Sequence, residues 1–101
     1  MRNFFIAFSL VTTVASAANL SQQEFNAAID KVEIIYQKEF AKSGRKFVVE
    51  RLWDDTFANA KADYDSQGNP KIIMRGGLAY HSTPDAISLI ACHEIGHHIG
   101  G

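Results

Sequence analysis

Apolar residues recur every three or four positions in the first half of the chain: Phe25, Ile29, Val32, Tyr36 and Phe40. That spacing predicts an amphipathic helix with one inward stripe. Its start is marked twice. Ser21 and Glu24 fit a capping box, in which hydroxyl and carboxylate each satisfy an exposed backbone N–H, and Leu20 with Phe25 fits a hydrophobic staple. Gly44 supplies a stop, with Lys42 near the negative end of the helix dipole. The polar face mixes acids and bases, which favours a packed scaffold helix over one lying on a membrane.

The period then changes from 3.6 to 2. Lys46 to Trp53 reads as a strand, with Phe47, Val49 and Trp53 on one face and Val48 and Leu52 on the other. Asp54-Asp55-Thr56 reads as a turn, and Phe57 to Tyr64 fits either a short strand or a loop. The run Asp65-Ser66-Gln67-Gly68-Asn69-Pro70 is a turn cluster. Lys71 to Arg75 reads as a second strand, broken by Gly76-Gly77. A last helix is expected from Thr83 as cap, with Pro84 at the first helical position and Asp85 in the first turn. Ala86, Ile87, Leu89, Ile90 and Ile95 make it apolar around much of its circumference, which predicts burial.

The first segment differs from the rest. Arg2 gives a positive start, Phe4 to Val14 a short apolar run, and Ala15-Ser16-Ala17 a small-x-small cleavage pattern. This is the build of a secretory signal peptide over residues 1–17, cut after Ala17. The run is shorter than the ~20 apolar residues a membrane span needs. The mature chain, 18–101, is therefore expected to be secreted or periplasmic, with no stable membrane anchor after cleavage. A net charge of −1 supplies no basic field for nucleic acid. The single cysteine, Cys92, excludes an internal disulfide and reads as a core thiol.

The chemistry is concentrated in His93-Glu94-Ile95-Gly96-His97. This is His-Glu-x-x-His, the helix-borne zinc signature of metallopeptidases. Each helical residue turns by about 100°, so histidines four apart project from one face, one turn apart. Both imidazoles can then reach one zinc ion (Zn2+), and Glu94 is placed to act as general base on a water. A burial argument supports this: ionisable groups on a buried helix are costly unless paired or metal-bound. Cys92 and His98 point about 100° away from their neighbours in the motif, so neither is expected as a ligand. His98 reads as a polar contact or surface residue and His81 as a loop histidine. Gly96 is expected to leave room for a neighbouring element, and Gly100 or Gly101 to end the helix in the left-handed conformation.

The stretch from Asn59 to Gly101 resembles the gluzincin metallopeptidases of the HtpX and CAAX-prenyl-protease type. The carrying residues are Asn59-Ala60, then Lys71 to Leu78, then Asp85 to His97. The resemblance implies that His93 and His97 are zinc ligands, that Glu94 is the catalytic base, and that strand Lys71 to Arg75 is the edge aligning an extended peptide. The family's third ligand, a Glu on a later helix, would lie past Gly101, and the membrane spans of the best-known relatives are absent, as in a soluble exported branch. Gly100 also matches the glycine of the metzincin pattern His-Glu-x-x-His-x-x-Gly-x-x-His, a rival within the enzymes.

The expected architecture is α+β: a scaffold helix, a small antiparallel sheet with an edge strand, and a C-terminal zinc-binding helix. The expected function is an exported zinc endopeptidase acting on a peptide or protein substrate, represented by the N-terminal part of a longer domain. Without a third ligand, residues 18–101 alone are expected to bind zinc weakly and to be inactive. The alternative is a non-catalytic exported module in which the two histidines bind metal structurally or not at all.

Overall fold

The computed structural model describes residues 19–100; the expected signal peptide, residues 1–17, lies outside them. Helix α1 spans Gln22–Ala41, followed by strands β1 (Val48–Leu52), β2 (Ala60–Tyr64) and β3 (Pro70–Arg75). A 3₁₀ turn, Gly76–Ala79, leads to helix α2, Pro84–Ile99. The α+β class is as the sequence implies. Among the described residues no helix is long and apolar enough to cross a membrane.

The capping box forms as expected. Ser21 Oγ accepts from Glu24 N at 3.1 Å, and Glu24 Oε1 accepts from Ser21 N at 2.9 Å. Phe25, Ala28, Ile29, Val32 and Phe40 make the buried stripe of α1. Leu20 joins the same core, as a staple requires. After Lys42 caps the helix, Gly44 takes a φ of 76°, the left-handed conformation that glycine enters without a Cβ clash.

The sheet order is β1-β3-β2, with β1 parallel and β2 antiparallel to β3. This corrects two expectations. The sheet is mixed, not antiparallel, because the connection from β1 to β3 passes through β2 and returns β3 in the direction of β1. Strand β3 is central, so Lys71 to Arg75 is not an edge. Its physical mark is an unbroken apolar run, Ile72, Ile73 and Met74, all buried.

The two outer edges differ. The outer edge of β1 is closed by α1: Glu33 Oε2 accepts from Val49 N at 2.7 Å, and Gln37 Nε2 donates to Phe47 O at 3.4 Å. Arg51 secures this arrangement with ion pairs to Asp30 and Glu33, each at 2.8 Å. Strand β2 has no strand beyond it among the described residues. Arg75 N donates to Asn59 O and Asp65 N to Asn69 O. By alternation, the main-chain groups of Ala60, Ala62 and Tyr64 face away from β3.

Both helices cover one face of this sheet. Val49 and its register partner Ile72 share that face with Met74 and belong to the core with Phe25, Ile29, Ile87, Ala91 and Ile95. Phe25 packs against Trp53 at 5.4 Å between ring centroids, and Phe40 stacks on Phe47 at 5.2 Å. The opposite face carries ion pairs, Lys71 with Glu50 at 2.9 Å and Arg75 with Asp55. The Glu50 carboxylate holds the Lys71 ammonium above its ordinary pKa. Asp65 closes the β2–β3 turn by accepting from Asn69 N and Gln67 N, both at 2.8 Å. Chiefly the Asn69 N–H, with that of Gln67, holds its carboxyl below the usual range.

The glycine pair after β3 is set by close packing. A Cβ on Gly76 would lie inside 3.0 Å of the Trp53 carbonyl, and one on Gly77 inside 3.0 Å of the Thr56 carbonyl. The 3₁₀ turn therefore nests against the loop after β1. That contact sets the start of α2.

Candidate metal centre

Helix α2 begins where expected: Thr83 Oγ1 accepts from Ala86 N at 3.2 Å and Pro84 occupies the first turn. Ile87, Ala91 and Ile95, each four residues apart, are fully buried. They form one stripe against α1, β2 and β3. Ser88 Oγ donates to Ala28 O at 2.9 Å, joining the two helices.

The rest of the circumference departs from expectation. Leu89 is 71% exposed and Ile99 62% exposed, so α2 is buried along one stripe only. Its apolar content overstates its cover, because the sheet and α1 can pack against only part of a helix. His93 and His97 lie on the exposed side, with Glu94 half-buried on the shoulder. Contrary to the burial expected for the motif, these imidazoles are solvated and need no ion to offset desolvation.

His93 and His97 are stacked one turn apart, ring centroids 5.0 Å apart and planes nearly perpendicular at 89°. One ligand atom from each of His93, Glu94 and His97 lies within 4.8 Å of the other two. Zinc–nitrogen bonds of ~2.0–2.1 Å at tetrahedral angles put two ligand nitrogens roughly 3.3–3.4 Å apart. The donor set fits zinc: two imidazoles as ligands, and a carboxylate close enough to act on a water beside them or to coordinate.

The remaining candidates are not brought to this group. Cys92 is half-buried against the core, as a packing thiol would be. His81 has a φ of 51° and its N–H donates to Asn19 Oδ1 at 2.8 Å. His98 faces the sheet. Its Nε2 lies 2.8 Å from Lys71 O, and its ring meets Tyr64 edge-on at 4.9 Å. Gly96 admits no neighbour among the described residues, since a Cβ there would meet nothing within 4 Å. This corrects the expectation that it makes room for one. Gly100 caps α2 with a φ of −103°, not left-handed, and its N–H donates to Gly96 O at 2.8 Å.

Sequence reasoning missed two features of this region. The open edge is β2, and its signal was present: Ala60-Lys61-Ala62-Asp63-Tyr64 alternates small apolar with charged residues, the pattern of a strand covered on one face. The Lys71 carbonyl as partner of His98 had no sequence signal, because the two residues meet only in the folded chain. Comparison of the chain with protein-family models, with curated proteins and with solved structures finds no match in any of the three.

Proposed function

We propose that this chain carries the metal-binding helix of an exported zinc peptidase that cleaves peptide bonds in a protein or peptide substrate. The observation that carries the reading is the single exposed face of α2 on which His93 and His97 stack one turn apart with the Glu94 carboxylate within 4.8 Å. Histidines 93 and 97 would hold the ion. A zinc ion held there supplies Lewis acidity, polarising a scissile carbonyl and acidifying water. Glu94 accepts a proton from the attacking water at a carboxylate oxygen and delivers it to the departing amine nitrogen. The open edge of β2 offers the main-chain groups of Ala60 and Ala62 to an extended peptide, whose alignment would come from strand addition, while the Tyr64 N–H is taken by Asp63 Oδ1 at 2.8 Å. This moves the substrate edge from β3, where the resemblance to gluzincins put it, to β2.

Zinc titration against a chromogenic chelator, combined with hydrolysis of a quenched fluorescent peptide, tests the reading. Glu94→Gln is expected to keep metal and lose hydrolysis; His93→Ala and His97→Ala are expected to lose both. Hydrolysis surviving in Glu94→Gln removes the base. The exposure of both imidazoles favours a second reading, a surface metal-binding module without turnover; zinc uptake with no hydrolysis in the full-length protein selects it.

A further inference from the structure

The motif is followed at once by another histidine, so the helix carries two adjacent imidazoles, His97 and His98, of identical chemistry. The fold treats them oppositely. His97 is exposed, whereas His98 continues the buried stripe of Ile87, Ala91 and Ile95 and turns toward the sheet. Its Nε2 is 2.8 Å from the carbonyl oxygen of Lys71 on the central strand. A carbonyl only accepts, so Nε2 carries the proton and donates. The ring is held edge-on to Tyr64 of β2 at 4.9 Å and to Phe40 of α1 at 6.5 Å. One side chain thus ties the last turn of α2 to the other helix and to two strands.

The consequence follows from helix geometry. A rotation of about 100° about the α2 axis would move His98 toward the direction His97 now takes. The pair four apart on the open side would then be Glu94 and His98 in place of His93 and His97. The last turn is also where a helix frays, since its carbonyls lack intrahelical partners, and His97 lies in that turn. We infer that His98 is a positioning residue: its Nε2–H bond to the Lys71 carbonyl extends the hold of the Ile87-Ala91-Ile95 stripe into the last turn of α2 and keeps His97 in register with His93. The effect on metal affinity rests on the zinc reading above, whereas the clamp itself is a property of the metal-free chain.

The two are tested separately in the full-length protein. Long-range proton–nitrogen NMR on the metal-free protein at neutral pH is expected to show His98 as the Nε2–H tautomer. The Gly100 amide, which donates to Gly96 O in the same turn, is expected to be protected from hydrogen exchange and to lose that protection in His98→Phe. That variant keeps a ring between Tyr64 and Phe40 but has no donor. For the metal, Co2+ titration read by its visible d–d bands is expected to show weaker affinity in His98→Phe, by up to about tenfold, the lower end of losses when a ligand's own hydrogen-bond partner is removed, because His98 acts through the helix and bonds no ligand. His98→Gln, whose amide can still donate, is expected to recover part of it. A Nδ1–H tautomer, or unchanged Gly100 exchange in His98→Phe, overturns the clamp. Wild-type Co2+ affinity and spectrum in His98→Phe overturn its role toward the metal. If the wild-type protein takes up no Co2+ or Zn2+, the zinc reading fails, and the tautomer and exchange data decide the clamp alone. Should His98→Phe fail to fold by circular dichroism, His98→Gln decides: wild-type Gly100 protection supports the donor bond, and lost protection overturns it.

Discussion

Replacing Gly96 with alanine asks directly whether the face of α2 that carries His93 and His97 is open. Gly96 lies inside the helix Pro84–Ile99 and is exposed. A Cβ there would meet nothing within 4 Å, so the substitution carries no steric term. What remains is intrinsic: glycine in a helix interior is less favourable than alanine by about 0.5–1 kcal/mol, because it gives up more backbone freedom on folding. Gly96→Ala is therefore expected to stabilise the protein by that amount. For a domain of this size, 1 kcal/mol corresponds to a Tm shift of roughly 4–8 °C, so the expected rise is about 2–8 °C. Thermal unfolding followed by circular dichroism in the presence of chelator reads this without any metal contribution. A fall in Tm would refute the reasoning. It would mean that something sits against Gly96, as a tight helix crossing does, and that the exposure of His93 and His97 has been overstated.

The opposite sign is expected at a tightly packed glycine. Gly77→Ala would drive a Cβ inside 3.0 Å of the Thr56 carbonyl, and overpacking of this kind costs about 1–3 kcal/mol or more; urea denaturation should show a lower midpoint. Ile95→Ala empties a site with no solvent exposure between α2, α1 and the sheet, and a loss of about 2–5 kcal/mol is expected from the same measurement. The carboxyls of Asp55, Asp63 and Asp65 are held low chiefly by the backbone N–H groups of Phe57, Tyr64 and Asn69 respectively. Their folded pKa values lie below the unfolded value, so their contribution is present above about pH 4 and is lost as pH falls through the folded values. Asp65→Asn should flatten that acid limb, as read from Tm across pH 2 to 6. Lys71 has the reverse sign: its pKa is raised by Glu50, so its contribution holds below the unfolded value of 10.5 and fades above it, and Glu50→Gln should reduce the alkaline loss.

Local sequence determined the local elements. The capping box at Ser21 and Glu24, the apolar stripe of α1, the Asp65–Pro70 turn and the Thr83-Pro84 start of α2 all depend on residues within a few positions of one another, so short-range hydrogen bonding and steric preference suffice to specify them. The stacking of His93 over His97 is of the same kind, because helical periodicity alone puts positions four apart on one face. What periodicity cannot express is which face of a helix finds cover, and where a strand sits among its neighbours. Leu89 and Ile99 are apolar yet exposed because the sheet and α1 reach only the Ile87-Ala91-Ile95 stripe. Strand β3 is central because β1 and β2 both pair with it, and Glu33 of α1 closes the β1 edge by accepting from Val49 N and pairing with Arg51 of that strand. The division between His97 and His98 was decided at the same level. Two identical imidazoles, adjacent in sequence, are told apart by one carbonyl on β3 and two aromatic rings, which only the packed chain brings to the end of α2.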